Sequence, residues 1–564
     1  MPKYLNLYFA NVSLDSLIRK YALQNAVFYE GKANPKSVLG KVLAEDESLR
    51  SKAKEVSTLV DKIVAEVNTL TLDDQTEELR EIAPELLVKE KGVKEIKLPD
   101  LPNVKDEVVM RLAPYPSGPL HIGNARMVLL NDAYVKRYGG KLLLVYDDTI
   151  GSEEKLPITE AYGYIKEGLD WLQVDIHEVV YKSDRMDMFY KWGERLVNEG
   201  HAYVCECDVE TLRSLRGKGE ECGHRNQSVE ENQEKWLKML DGYYGEGEAV
   251  VRIKTDMKHP NPAFRDRVLF RISKRDHPRV GGRYHVWPML ELSWAVDDHL
   301  LGVTHVLRGK ELVMEDMMEK WIWDMLGVEG PEFVHYGMMR LKGIKLSKSQ
   351  VRREIEKGAL TGISDPRTWS MQSLRRRGFR PEAVREFVLS FGMSLVDIEV
   401  PAENLYAENR KLVDAEADRY FFVPNPVQVE IEGLPEISSV EAPLHPEFSE
   451  RGKREIATGN VVYLPREDFD EYKGEKIRLK DFCNILLDEK SEFVSLQVED
   501  IPKVQWVHDY LVVKVVMPDG TVTEGYGEKN LENTEEGQLV QFERFGFVMI
   551  DSKGDPLIAY FAHK

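Results

Sequence analysis

Apolar positions recur at spacings of three and four through SLDSLIRKYALQNAVFYEG and again through PKSVLGKVLAEDESLRSKAKEVSTLVDKIVAEVNTL, which predicts a helical N-terminal module over residues 1–98. Ser13 and Asp15 are residue types that cap helix starts. The stretch KEKGVKEIKLPDLPNVKDE mixes Lys, Glu and Pro with few large apolar side chains and predicts a linker at about 89–106.

Beyond the linker the period changes. EVVMRLAP is a short β-rich run ending at proline, PYPSGPL a turn-rich loop, HIGNARMVLLNDAYVKRYGG a helix stopped by Gly139-Gly140, and KLLLVYDD a second buried strand. Strand, Gly/Pro loop, helix, strand is the opening unit of a nucleotide-binding α/β sheet, which predicts a Rossmann-type domain over 107–335. A cysteine-containing insertion interrupts it at about 204–285, after which WAVDDHLLGVTHVLRG and EDMMEKWIWDMLG restore strand and helix. Residues 336–400 carry a loop and a basic helical region. From 401 to 564, β-branched runs are separated by Gly, Pro and Asp, and Asp519-Gly520 sits between two alternating runs as a hairpin signal, so this part reads as all-β barrels.

Composition narrows the class. The 564 residues are 42% hydrophobic and 31% charged, ordinary for a globular chain of several domains and unlike a disordered or fibrous one. No stretch approaches the roughly 20 apolar residues of a membrane span, and the first residues lack a secretory pattern, so a cytoplasmic protein is expected. The formal charge of −20 argues against indiscriminate nucleic-acid binding but leaves room for a local basic track. Between Arg340 and Arg385 there are thirteen Lys/Arg against four Asp/Glu, densest at Arg375, Arg376 and Arg377, which are therefore candidates for nucleic-acid phosphates, the alternative being an ordinary solvated basic face. Three of the four cysteines cluster: Cys205, Cys207 and Cys222, with His224, offer a tetrahedral zinc set, the alternative being a buried pair of free thiols.

The chemistry concentrates at two short segments. Pro119-Leu120-His121-Ile122-Gly123-Asn124 opens a helix, where free backbone N–H groups and partial positive charge suit a phosphate chain. His121 and Asn124 share one face and can both donate to phosphate oxygens, while Gly123 lets a flat adenine approach the backbone. Far downstream, Lys345-Leu346-Ser347-Lys348-Ser349 follows Gly343 in a loop able to bring two ammonium groups onto a triphosphate.

PLHIGN resembles the HIGH signature, and KLSKS the KMSKS signature, of class I aminoacyl-tRNA synthetases. With RLAPYPSGPLHIGNAR, VYDDT, VDDHLLGVTHVLRGKEL and VQFERFGFVMID, nearly the whole chain resembles archaeal-type glutamyl-tRNA synthetases, in the branch shared with glutaminyl enzymes. The resemblance implies ATP-dependent activation of L-glutamate with Mg²⁺, transfer to the 3′ end of tRNA(Glu), an acceptor-binding insertion that holds zinc in some members, and C-terminal anticodon-binding β-barrels. It further implies catalytic roles for His121, Asn124, Lys345 and Lys348, and ATP contacts from Pro119, Leu120, Ile122, Gly123, Leu346, Ser347 and Ser349. By motif position Arg111 matches the cation for the side-chain carboxylate, Arg308 that for the α-carboxylate, and Asp147 the acid facing the amine. Tyr115, Leu290 and Trp294 depart from the family pattern, so the amino-acid pocket is expected to be built differently here.

Two other readings stand beside glutamate–tRNA ligase. One is a glutaminyl-tRNA synthetase, since the C-terminal barrels do not discriminate; the other is a non-catalytic tRNA-binding paralogue. Charging of tRNA(Gln) in addition to tRNA(Glu) is left open by the sequence.

Overall fold

A computed structural model of the chain describes residues 5–28, 31–45, 49, 52–83, 86, 98–150, 156–344 and 346–564. It divides into two units, Met1–Glu95 and Ile96–Lys564. The first is helical, with α1 (Leu5–Phe28), α2 (Pro35–Glu45), α3 (Ala53–Val67) and α4 (Leu72–Ile82). Their apolar stripes meet in a core that includes Ile18, Leu23, Val38, Val60 and Leu79. Ser13 and Asp15, expected as caps, lie inside α1. The helix-forming LNLYFA run extends it N-terminally, and a polar residue in a helix interior costs only about 0.7 kcal/mol or less. A capping box appears instead at α4, where the Thr71 hydroxyl accepts from the Asp74 backbone N–H and the Asp74 carboxylate from that of Thr71.

The second unit opens with β1 (Val109–Leu112), α5 (Ile122–Tyr138), β2 (Lys141–Tyr146), α6 (Thr159–Trp171) and β3 (Glu178–Tyr181). Strands β1, β2 and β3 are parallel, in the order β1-β2-β3. Gly139 ends α5 at φ +63°, a left-handed cap that glycine adopts freely. After α7 (Met186–Asn198) comes a four-stranded antiparallel sheet of β4 (Ala202–Cys205), β5 (Val250–Ile253), β6 (Val268–Ile272) and β7 (Val286–Pro288), with α8 (Val209–Lys218) and α9 (Val229–Leu240) between β4 and β5. The α/β pattern resumes with α10 (Leu290–Leu300), β8 (His305–Gly309), α11 (Val313–Leu326) and β9 (Glu332–Tyr336). The Thr304 N–H donates to the Val109 carbonyl at 2.9 Å, which sets β8 beside β1. Chain direction across the sheet thus switches between β1 and β8, and the crevice at the carboxyl ends of strands around such a switch is where α/β sheets bind ligands.

Next come β10 (Met339–Leu341), α12 (Lys348–Glu356), α13 (Met371–Arg376), α14 (Pro381–Leu389) and β11 (Ile398–Val400), and then α15 (Ala402–Val413). That last helix corrects the expectation of an all-β region from 401: its Ala, Glu, Leu and Lys residues favour helix, and Leu405, Asn409 and Val413 bury one face at i,i+4 spacing. The remaining strands form sheets of six and seven and a two-stranded ribbon of Ser439–Pro443 with Lys453–Ala457. In the seven-stranded sheet the edge strands Asp418–Tyr420 and Phe422–Pro424 are separated only by Phe421, so one short piece of chain brings both edges together into a barrel. In the six-stranded sheet, backbone bonds between Tyr463 and Val507 join the Val461–Pro465 edge to the chain just beyond the Lys503–Val504 edge. Asp519-Gly520 turns the hairpin between Tyr510–Val516 and Val522–Glu528, with Gly520 at φ +86°.

Candidate active site

Helix α5 begins where the sheet switches direction. His121 stands at its N-cap with extended backbone, and the Asn124 side-chain oxygen accepts from the His121 N–H at 3.2 Å, leaving the Asn124 amide N–H₂ to point elsewhere. A short stretch downstream clamps the helix start: Ile122 N–H donates to the Trp369 carbonyl at 3.0 Å and Met371 N–H to the Leu120 carbonyl at 2.9 Å. Leu120 and Ile122 therefore correct the expected list of nucleotide contacts. Their side chains lie in the core and these backbone groups are taken, so both anchor the motif rather than offer it to a ligand. Pro119 is likewise buried.

Gly123 stands in tight surroundings. A Cβ there would meet the His121 ring at 3.1 Å and the Leu346 side chain at 3.3 Å. His121, Gly123, Asn124, Arg308 and Leu346 line one cavity of about 590 Å³. Lys345 lies outside the described residues. Ser347 caps α12, its hydroxyl accepting from the Gln350 N–H at 3.4 Å and lying 3.3 Å from that of Ser349. The stem of Lys348 runs along Gly118, 3.6 Å from where a Cβ would stand. Burial brings the Lys348 ammonium down to about 8. Burial, helped by the charge of Lys348, brings His121 to about 4, so the imidazole is neutral near pH 7, with Nδ1 buried and without a partner among the described residues. The two signatures, more than 220 residues apart in sequence, thus meet over the start of α5.

A second cluster adjoins Arg308. Arg111, at the end of β1, makes a two-pronged ion pair with Asp298 on α10. Arg308, on β8, donates to Asp316 at 2.6 Å and to Glu319 at 2.7 Å, and His335 also faces Asp316 at 2.5 Å. Asp147, just past β2, accepts from Lys182 at 2.8 Å, and the same ammonium donates to Ser293 at 2.8 Å. Trp294 sits amid all three cations, its ring 4.9 Å from the Arg111 guanidinium carbon, 4.7 Å from that of Arg308 and 5.2 Å from the Lys182 ammonium. Burial raises the pKa of Glu319 to about 8 despite Arg308. Leu290 opens α10 one turn before Trp294. Tyr115 follows β1, its buried hydroxyl lacking a partner among the described residues, and burial together with Asp147 raises its pKa.

Sequence reasoning named Arg111, Arg308, Asp147 and Trp294 but missed Lys182, Asp298 and Glu319. Lys182 carries one usable signal, being the first residue after a parallel strand on the ligand side of the sheet. Asp298 was visible only as part of VDDH, with nothing local to pair it to β1.

The Cys/His cluster is compact. Cys205 and Cys222 Sγ are 3.8 Å apart, Cys207 Sγ is 3.4 Å from His224 Nδ1, and all four donor atoms lie within 4.8 Å of one another. Tetrahedral zinc at ordinary bond lengths needs S···S near ~3.8 Å and S···N near ~3.5 Å, so the donor set fits. Glu206 lies 3.5 Å from His224 Nε2, where it can hold Nδ1 toward the sulfurs, and Arg252 approaches Cys222 at 3.7 Å and Cys205 at 3.9 Å, favouring thiolates.

The basic run separates on folding. Arg375 is exposed, 3.7 Å from Glu167, beside an open groove of about 780 Å³. Arg376 is held by Asp551 at 2.6 and 2.7 Å and stacks 4.2 Å from the Tyr560 ring. Arg377 corrects the expectation of a phosphate contact, because it is fully buried and donates to backbone carbonyls.

Comparison with known proteins agrees with this layout. The family described as tRNA synthetases class I (E and Q), catalytic domain, matches residues 107–414, and two anticodon-binding families of the same group match 417–500 and 492–551. Glutamate–tRNA ligases of Pyrococcus abyssi and Methanocaldococcus jannaschii are 45% and 44% identical over 98% of this chain and 100% of theirs. That of Archaeoglobus fulgidus is 42% identical over the same shares. From its catalytic unit to its C-terminal β domains, the chain belongs to the glutamyl- and glutaminyl-tRNA synthetase family of class I.

Proposed function

We propose that this chain is an ATP-dependent glutamate–tRNA ligase that activates L-glutamate to the adenylate and transfers it to the 3′ end of tRNA(Glu). One observation carries the reading: the cavity at the start of α5 is lined by His121, Asn124 and Arg308, and Arg308 belongs also to the buried cluster in which it, Arg111 and Lys182 surround the Trp294 ring. In the first step a carboxylate oxygen of glutamate bonds to the α-phosphorus of ATP, the bond to the bridging oxygen breaks, and pyrophosphate leaves. The chain supplies little covalent chemistry to this step, so its residues act by position and charge. His121, Asn124 and Lys348 are placed to donate to phosphate oxygens, and Lys345 has the residue type to join them. In the second step the terminal ribose hydroxyl attacks the activated carbonyl and AMP leaves.

Magnesium would travel with the triphosphate and neutralise part of its charge. Glu311 is the one carboxylate among the described residues lining the cavity, which fits an ion held chiefly by phosphates and water. Cys205, Cys207, Cys222 and His224 hold a structural zinc ion in this reading. Arg375 contributes to tRNA phosphates, and the protein works in the cytoplasm with its tRNA. Charging assays with glutamate and glutamine, each against tRNA(Glu) and tRNA(Gln), test the proposal. Glutamate must charge tRNA(Glu); charging of tRNA(Gln) with glutamate would extend the substrate range, and glutamine-dependent charging would replace it.

A further inference from the structure

Asp147 and Asp148 are the two residues after β2, and Lys182 and Ser183 the two after β3. The strands pair in register up to Tyr146 and Tyr181, and beyond that point side chains continue the pairing. Asp147 accepts from Lys182, and the Asp148 carboxylate accepts from the Ser183 N–H at 2.9 Å, the Ser183 hydroxyl at 2.7 Å and the Tyr162 hydroxyl at 2.9 Å. Lys182 belongs to the cluster around Trp294 and ties Asp147 to it; Asp148 is the anchor behind that pair.

The anchor is completed from the insertion. His277 lies between β6 and β7, its side chain fully buried and its ring stacked 5.3 Å from that of Trp287 on β7. Its Nδ1 faces the backbone N–H groups of Arg279 and Val280 at 3.2 and 3.4 Å, so the ring proton sits on Nε2, and that N–H donates to the Asp148 carbonyl at 2.6 Å. Burial holds the imidazole below its ordinary pKa, which keeps it neutral as this tautomer requires. Paired backbone bonds between His277 and Gly281 close the turn, and so the loop itself fixes the direction of Nε2. Arg279 on the same loop donates to Asp184 at 2.6 Å and lies 3.5 Å from the Tyr181 ring, which grips the end of β3 as well.

By motif position Asp147 is the acid that faces the substrate amine, and such a group works only when its support holds it to within about 0.5 Å. We propose that His277 is a positioning residue: through the Asp148 carbonyl it sets the place of the Asp147–Lys182 pair, so that the insertion completes the amino-acid end of the site. This rests on the ligase reading and adds to it a residue that itself touches no substrate.

The test is ATP–pyrophosphate exchange with tRNA(Glu) present, in wild type, His277→Met and His277→Gln. Both variants lose the ring and its stacking, and only Gln keeps an N–H at the reach of Nε2, so the difference between them reports the bond to Asp148. His277→Met should raise KM for glutamate about tenfold, with KM for ATP within about twofold of wild type, and His277→Gln should recover most of that rise. The glutamate analogue with a hydroxyl in place of the amine should inhibit wild type and His277→Met alike, because the effect passes through the acid that meets the amine. Equal KM values for glutamate in the two variants overturn the proposal. So does a loss of affinity for the analogue as large as that for glutamate, which would make His277 a packing residue. Should His277→Met not fold, Ser183→Ala loosens the same anchor from the β3 side: KM for glutamate should rise with KM for ATP unchanged, and an unaltered KM for glutamate overturns the proposal. Absence of glutamate-dependent exchange in the wild type overturns the ligase reading, and this proposal with it.

Discussion

Arg377 Nε donates to the carbonyl oxygen of Phe561 at 3.1 Å, across 184 residues of chain, and Nη2 reaches the next carbonyl, Ala562, at 2.8 Å. The guanidinium lies about 5 Å from the rings of Trp369 and Phe379. Trp369 in turn holds the N–H of Ile122 at the start of α5, so one short helix ties the C-terminal barrel to the cavity at His121.

From this follows a split between neighbouring arginines. Arg377→Met removes both donors from a dry site and should lower stability by about 2 kcal/mol or more, read as a lower denaturation midpoint. Arg375→Gln should leave that midpoint unchanged and weaken tRNA binding, flattening its log–log salt dependence by about 0.7–0.9. Equal effects of the two variants on tRNA affinity at unchanged stability would contradict the split.

Lys348 and His121 should matter for activation rather than folding. Ala at either position should cut glutamate-dependent exchange about 10²-fold, the usual loss for one preorganised donor. Near-normal exchange by both variants would remove them from the mechanism.

The same pair sets a pH dependence. Lys348 titrates near 8 in the free protein, below its ordinary 10.5, so kcat/KM for ATP should fall as pH rises through about 8. Lys348→Arg should push that limb to higher pH. For His121 the folded value of about 4 lies below the ordinary 6.5, so the unfolded chain binds more protons between those values. Its contribution to stability is complete above about 6.5 and declines as pH falls toward 4; in His121→Asn this part of the acid dependence should be missing from a pH series of denaturation midpoints.

Much of this was legible in the sequence because it is local. The turn-rich loop before His121, the glycine stop at Gly139 and the Asp519-Gly520 hairpin each depend on a few adjacent residues, and the structure has them where periodicity and turn chemistry put them. What could not be read was pairing at distance. Nothing near Arg111 indicates that Asp298 will neutralise it, and nothing in Arg375-Arg376-Arg377 tells which arginine faces solvent, since that is decided by strands near residue 560. Trp294 was legible as an oddity, and only the fold puts three cations around it.

Zinc gives a prediction independent of catalysis. Purified protein should contain about one zinc per chain, lost in Cys205→Ser/Cys222→Ser together with a lower thermal midpoint, because a structural site contributes its binding energy to the fold. Glu206→Gln should weaken metal retention about tenfold or more, as expected for the group that orients a ligating imidazole. Metal-free wild type with an unaltered midpoint would make the cluster a set of free thiols.

Substrate choice turns on Arg111, and the ion pair with Asp298 changes how it must be tested. Arg111→Leu alone would leave Asp298, whose side chain is fully buried, as an unpaired charge, a change that costs about 3–5 kcal/mol and would confuse binding with folding. Arg111→Met combined with Asp298→Asn removes both charges together. If Arg111 holds the side-chain carboxylate, the double variant should raise KM for glutamate by about 10²-fold or more and erode the preference over glutamine, while KM for ATP is little altered. A preference that survives intact would pass the role to Lys182, another buried cation at the Trp294 ring, whose third N–H is not committed to Asp147 or Ser293. Lys182→Met with Asp147→Asn would then be the pair in which discrimination collapses.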